Sequence, residues 1–206
     1  MEIKGLIETS FLDWPGKVCA VLFLPSCNLR CPFCHNPDLV LHPDRLDTIP
    51  WAFVEKRLSS LRSWLDGVCV TGGEPTIHAD LPELLRRIRG LGLSVKLDSN
   101  GTRPEVLESL VDQGLMDYLA MDVKGPLDEG EYGRCAGVPV SLAAIRRSMA
   151  LIRSGRVQGE FRTTVVPDWH TPTVLARMAD ELRPFPRWTH QAFNPARTLD
   201  PALQAH

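Results

Sequence analysis

The constraint that most narrows what this chain can fold into is a regular alternation of apolar, strand-like runs with amphipathic, helix-like runs. Strands are predicted near residues 18–25, 67–72, 93–98, 117–123, 159–166 and 188–193, and helices near 50–64, 80–90, 103–113, 141–154 and 172–183. Runs such as Val18-Cys19-Ala20-Val21-Leu22-Phe23-Leu24 and Gly67-Val68-Cys69-Val70 show no polar alternation, the pattern of parallel strands buried on both faces. Strand followed by helix, repeated, predicts βα units and a parallel sheet. A complete eight-unit barrel takes about 250 residues, so this chain accommodates about six units. The expected fold class is therefore α/β, a partial (β/α)6 TIM-like barrel. It is read as one domain over residues 1–206, preceded by a segment that turns at Pro15-Gly16 and ending in a disordered or loosely docked tail from Thr198 to His206.

Local signals set the helix limits. Asp80-Leu81-Pro82-Glu83 and Thr102-Arg103-Pro104-Glu105 read as capping boxes, and Thr171-Pro172 as an N-cap followed by proline in the first turn. Leu142, Ile145, Met149 and Ile152 form an apolar stripe at helical spacing, closed by Gly155 as a C-cap. The strand ends are less ordinary. Cys27 follows the first, Gly72-Gly73-Glu74-Pro75 ends the second, Asp98-Ser99-Asn100-Gly101 the third and Asp122-Val123-Lys124 the fourth. Arg162 lies on the fifth, and Gln191 to Asn194 close the sixth. Packing does not call for polar residues and glycines at one end of every strand. In barrels that end is where chemistry gathers, so these residues are expected to form one site.

Three of the six cysteines stand at one tight spacing, in Cys27-Asn28-Leu29-Arg30-Cys31-Pro32-Phe33-Cys34-His35-Asn36. Three thiolates in one loop hold three irons of a [4Fe-4S] cube and leave the fourth iron open. A Cys3His zinc site with His35 is the alternative, although structural zinc ligands usually come as two separated pairs. Cys19 and Cys69 sit in strand-like runs and read as small core residues. Cys135 is placed in a loop, Tyr132-Gly133-Arg134-Cys135-Ala136-Gly137, with no partner at metal-site spacing.

A net charge of −2 gives no electrostatic case for nucleic-acid binding. No apolar run approaches the ~20 residues that span a bilayer, and the amino-terminal residues lack the apolar core of a secretory signal. A cytoplasmic protein with neither nucleic-acid nor membrane partners is expected.

Cys27, Cys31 and Cys34 at this spacing, Phe33 just before the third cysteine, and Gly72-Gly73-Glu74-Pro75 after the second strand together resemble the radical S-adenosylmethionine superfamily. Cys34-His35-Asn36, Leu97-Asp98-Ser99-Asn100-Gly101 and Met121-Asp122-Val123-Lys124 are similar to the glycyl-radical-enzyme activases within it. The stretch from Ile7 to Lys17 is most similar to activators of anaerobic ribonucleoside-triphosphate reductase. The resemblance implies a radical-SAM core that reductively cleaves S-adenosylmethionine and abstracts a glycine Cα hydrogen from that partner, with a flavodoxin or ferredoxin-type electron donor. It implies that Cys27, Cys31 and Cys34 hold one [4Fe-4S] cluster, no cysteine lying between Cys34 and Gly72 to serve a second. It further implies that Phe33 packs near the adenine and that Gly72, Gly73 and Glu74 receive the cofactor's amino group. Asp122 and Lys124 would hold its ribose and carboxylate, Ser99 and Arg162 its charged amino-acid end, and His35 belongs with the cofactor residues. Asp98, with Asp122, matches positions that in some members hold a monovalent cation.

Plainer roles stand beside these: Asp98 as a turn cap, Lys124 as an exposed strand end, Arg162 as the partner of a neighbouring carboxylate, and His35 orienting its loop through a backbone hydrogen bond. His190 has no clear role. Asn194 stands where activases of pyruvate formate-lyase commonly carry a histidine near the cofactor. The competing functions are a small-molecule radical enzyme resembling carboxy-deazaguanine synthases and a non-catalytic iron-sulfur or zinc module.

Overall fold

The computed structural model describes residues 1–204. Seven strands form one sheet in strictly sequential order: β1 (Gly5–Ser10), β2 (Cys19–Leu24), β3 (Gly67–Gly72), β4 (Ser94–Ser99), β5 (Tyr118–Asp122), β6 (Gln158–Val165) and β7 (Trp188–Ala192). Strands β2 to β7 pair in parallel and β1 lies antiparallel beside β2. Sequential order means that every crossover advances one strand in the same direction, and right-handed crossovers then put all the helices on one face. Such a sheet curls about its bare face. The result is the expected partial (β/α)6 barrel with one added edge strand.

The helices are α1 (Pro37–Leu41), α2 (Trp51–Ser60), α3 (Leu81–Gly90), α4 (Pro104–Asp112), α5 (Glu129–Ala136), α6 (Leu142–Arg153) and α7 (Pro172–Leu182). Because side chains alternate across a strand, Ala20, Leu22 and Leu24 of β2 share the main core with helix residues such as Leu85, Ile88, Leu107 and Met149. Cys19 and Val21 point the other way and join Cys69 and Trp14 in a small inner cluster. Trp14 comes from the β1–β2 loop, is 3% exposed, and meets the Tyr118 ring at 6.0 Å. Opposite it, a Cβ on Gly67 would lie 2.6 Å from the Trp14 ring. Since Ser10 pairs with Cys19 at the start of β2, this loop closes the amino-terminal end of the barrel.

Several local expectations change. β1 lies where only a turning segment was predicted. Cys135 is helical, in α5, because the Asp128 carboxylate accepts the Gly130 and Glu131 N–H groups to start that helix and Gly137, at φ +70°, ends it. Thr171 caps α7 through the Val174 N–H as predicted, but the two capping boxes do not form. Asp80 pairs instead with the amino-terminal ammonium, and the Thr102 hydroxyl donates to the Asn100 side chain at 2.6 Å. The tail is docked over its described part: Thr198 is buried, Pro201–Leu203 makes a 3-10 turn, and the Asp200 N–H donates to the Pro32 carbonyl at 2.9 Å. Residues 205 and 206 lie outside the described residues. No helix among those described is long and apolar enough to cross a membrane.

Candidate active site

One cavity of about 240 Å³ at the carboxyl ends of the strands is lined by every residue that the resemblance nominated for cluster, cofactor or cation, whereas the strand-end residues Pro75, Gly101, Val123 and Asn194 do not line it. Cys27, Cys31, Cys34, Phe33 and His35 reach it from the loop after β2, and Gly72, Gly73 and Glu74 from the end of β3. Asp98 and Ser99 of β4, Asp122 and Lys124 at the end of β5, and Arg162 of β6 complete it.

The cysteine loop is held by its own backbone. The Leu29 N–H donates to the Cys27 sulfur at 3.3 Å, the Cys34 N–H to the Cys31 carbonyl at 3.0 Å, and the Arg30 N–H to the Ala136 carbonyl of α5 at 2.9 Å. All six cysteines are free thiols. Burial pushes the thiols of Cys27 and Cys31 up to about 11 and about 12 and raises that of Cys34. Thiols so disfavoured as anions become strong ligands only when a metal takes the proton's place. Among the described residues no three His, Cys, Asp or Glu side chains converge on a single-ion site. His35 Nε2 accepts the Asn194 backbone N–H at 3.1 Å while its ring stacks on Phe193. That is the loop-orienting role, and the Asn194 side chain is itself engaged with the Ala196 N–H at 3.0 Å. His190, paired with Thr163 in the sheet, meets the Trp188 ring edge-on at 4.4 Å.

The end of β3 passes so close to the cysteine loop that only glycine fits. A Cβ on Gly73 would stand 1.7 Å from the Ser26 carbonyl oxygen, and one on Gly72, at φ +123°, 2.3 Å from Leu24 backbone. Asn36 ties the loop back by donating to the Gly72 carbonyl at 3.2 Å. Glu74, 1% exposed, accepts hydrogen bonds from the Thr76 N–H and hydroxyl at 3.1 and 2.5 Å, the Ser99 hydroxyl at 2.8 Å and the Asn100 N–H at 2.7 Å. Burial raises its carboxyl above the ordinary range, with those donors working the other way. A buried carboxylate so framed is a receptor for a cationic group.

Across the cavity runs a chain of alternating charge. Lys96 pairs with one oxygen of Asp98, and Arg162 Nη1 meets the other at 2.9 Å. Arg162 also reaches Asp122 at 2.9 Å, and Lys124 holds the remaining Asp122 oxygen at 3.0 Å. Burial opposes ionisation of Asp122, but Arg162 and Lys124 hold its carboxyl down at about 2. Phe33 is wedged beside Trp169 and His170, with ring centroids at 5.9 and 6.2 Å. His170 in turn accepts the Val166 N–H at 3.1 Å and faces the Lys124 carbonyl through Nε2 at 3.0 Å, joining the ends of β5 and β6.

A family model described as the radical SAM superfamily matches residues 21–183. The chain belongs to the radical SAM superfamily. It is a radical SAM enzyme. A Methanocaldococcus jannaschii protein, provisionally named glycyl-radical enzyme activating enzyme MJ1227, is 33% identical over 201 residues, covering 96% of this chain and 82% of that protein. A 7-carboxy-7-deazaguanine synthase of Aquifex aeolicus is 34% identical over 84 residues, 38% of this chain and 34% of its own length. Among solved structures, Streptococcus suis SuiB bound to S-adenosylmethionine superposes with a TM-score of 0.64 at 17% identity, over 84% of this chain and 42% of SuiB. That last likeness is one of fold.

For a radical SAM enzyme the donor set fits the cluster and cofactor that the family implies. The fit is sharpest at Tyr132. Its hydroxyl is fully buried, with the Lys124 backbone N–H turned to its oxygen and no acceptor for its own proton among the described residues. A bound group is what would satisfy such a donor. Neither Tyr132 nor His170 was visible as a site residue in the sequence. Glycines around Tyr132 masked a helix, and His170 follows a proline in what reads as an ordinary loop.

Proposed function

We propose that this radical SAM enzyme is a glycyl-radical-enzyme activase whose partner is an anaerobic ribonucleoside-triphosphate reductase. The observation that carries the activase reading is the match along nearly the whole chain to a relative named as a glycyl-radical enzyme activating enzyme, while the reductase rests on the likeness of Ile7 to Lys17. The open barrel agrees with it: β1 and β7 are sheet edges that do not pair with each other, so a glycine-bearing loop can approach the cavity from the side.

In this reading Cys27, Cys31 and Cys34 would hold one [4Fe-4S] cluster, with S-adenosylmethionine beside it. The bound pair supplies one-electron cleavage of the cofactor and, through it, hydrogen-atom abstraction from a glycine Cα. The chain's own residues bind and orient. Glu74, with the backbone of Gly72 and Gly73, receives the amino group, while Ser99 and Arg162 face the charged amino-acid end. Asp122 and Lys124 take the ribose and carboxylate, Phe33 flanks the adenine, and His35 fixes the loop. The electron comes from a flavodoxin or ferredoxin-type donor in the cytoplasm.

The test is anaerobic reconstitution and reduction in the presence of S-adenosylmethionine and the reductase, reading the glycyl-radical EPR signal and 5′-deoxyadenosine together. Both are expected. 5′-Deoxyadenosine without a radical on any glycyl partner, alongside consumption of a small heterocycle, would overturn the activase reading in favour of small-molecule chemistry. Neither product from a loaded, reduced protein would favour a non-catalytic metal module.

A further inference from the structure

Lys96 is an unusual occupant of a barrel interior. It is fully buried, and lysine is almost never so unless it is paired. It lies two residues before Asp98 on β4, so both side chains stand on the inner face of the sheet. Its ammonium contacts one Asp98 oxygen and, at 3.5 Å, the Cys69 sulfur, below which lies the apolar floor made by Trp14, Cys19 and Val21.

The consequence concerns the monovalent cation that the resemblance to the activases implies for Asp98 and Asp122. Here the residues do not fit such an ion, because each of the four carboxylate oxygens already faces a cationic side chain. Asp98 gives one oxygen to Lys96 and the other to Arg162, while Asp122 gives one to Arg162 and the other to Lys124. A metal cation would have to enter against the charge of Lys96, Arg162 and Lys124 or displace one of them. Removing Lys96 would free an Asp98 oxygen in a nearly closed site, Asp98 being 7% exposed. A buried carboxylate oxygen that has lost one of its two cations is costly to the fold and draws a small cation in its place.

Charge balance points the same way. Three cations and two carboxylates leave the chain from Lys96 to Lys124 with one net positive charge, set across the cavity from the buried Glu74 carboxylate. An amino acid's carboxylate suits the first and its ammonium the second. Without Lys96 the positive side would be neutral until an ion replaced it.

We infer that Lys96 is a positioning residue that supplies from within the chain the positive charge a monovalent cation would otherwise bring. Cofactor binding is then independent of sodium and potassium. This rests on the proposed placement of S-adenosylmethionine's amino-acid end between Glu74 and Arg162.

The test measures S-adenosylmethionine affinity of the reconstituted protein by equilibrium dialysis in choline, sodium and potassium chloride at one ionic strength. Wild type is expected to bind equally in all three. Lys96→Met should bind at least tenfold more weakly in choline chloride and recover most of that loss in sodium or potassium chloride. Lys96→Arg should stay cation-independent. Wild-type affinity that falls several-fold in choline chloride would overturn the inference, as would a Lys96→Met defect of the same size in every salt or no defect at all. Should Lys96→Met fail to fold, the wild-type arm and Lys96→Arg still decide it. No binding by wild type in any salt would defeat the cofactor placement instead. The charge inference is then decided on the metal-free proteins, where sodium or potassium must raise the melting midpoint of Lys96→Met above its value in choline chloride and leave wild type unmoved.

Discussion

Gly73→Ala will cost this protein about 3 kcal/mol or more and abolish both iron retention and cofactor binding. The new methyl group would stand 1.7 Å from the Ser26 carbonyl oxygen and 2.5 Å from its carbon, both backbone atoms that no rotamer change can move. Overpacking a core with flexible neighbours costs about 1–3 kcal/mol, and a clash with fixed backbone lies at or beyond the top of that range. The displaced atoms are also the ones that matter. Ser26, held at φ +63°, precedes Cys27, and its carbonyl accepts the Glu74 N–H at 2.8 Å, so one contact positions both the first cysteine and the buried carboxylate. Gly90→Ala is the control. That glycine ends α3 with open space around its Cα, and the same substitution there should stabilise the fold by about 0.5–1 kcal/mol. Iron content, cofactor binding and urea unfolding of the two variants side by side check the expectation. Wild-type iron content in Gly73→Ala would show that the seam between β3 and the cysteine loop has more freedom than its contacts imply.

The same seam shows which parts of this molecule are legible in sequence. Strands β2 and β3 could be read because their buried apolar residues run almost unbroken, and β4 to β7 from their place between helix-like runs, although β7 is largely exposed. β1 could not: Leu6 and Ile7 sit among Glu8, Thr9 and Ser10 on an edge strand whose pairing is interrupted between Ile7 and Ser10. α5 escaped because Gly130 and Gly133 lower helix propensity along eight residues. Its start is fixed by the Asp128 cap and its inner face by burial of Tyr132 and Cys135, both tertiary facts. Site residues at strand ends were legible because polar groups and glycines there have no packing purpose. Lys96 was not, since a lysine in Ser94-Val95-Lys96-Leu97 reads as the solvent side of a half-buried strand. Only the barrel's curvature turns that side inward. Asp98 and Arg162 were legible as residues, but their mutual pairing depends on how β4, β5 and β6 stack in register.

That pairing sets the second large effect. Arg162→Met should cost about 3–5 kcal/mol at about pH 7, the usual penalty for removing one partner from a buried ionic group. One guanidinium serves two carboxylates, so its loss strips a cation from Asp98 and Asp122 together. Methionine is unbranched and apolar but ends short of the guanidinium, so some lost packing accompanies the lost charge. The dependence of the deficit on pH separates charge from packing. The Asp122 carboxyl is held at about 2 against an ordinary 3.8, so ionised Asp122 stabilises the fold above the ordinary value, and that contribution is lost as pH falls through about 2. Without Arg162 the folded-state value moves up towards the unfolded one and the contribution shrinks. Wild type and Arg162→Met should therefore differ most near neutrality and converge as pH falls below the ordinary carboxylate range. Urea midpoints measured from about pH 7 down to about pH 2 read the convergence directly. A gap that stays constant over that range would mean that the guanidinium acts by filling space. A gap that closes would place Arg162 as the electrostatic hinge of the site, neutralising two strand ends at once and leaving Lys96 and Lys124 to supply the charge a carboxylate-bearing ligand meets.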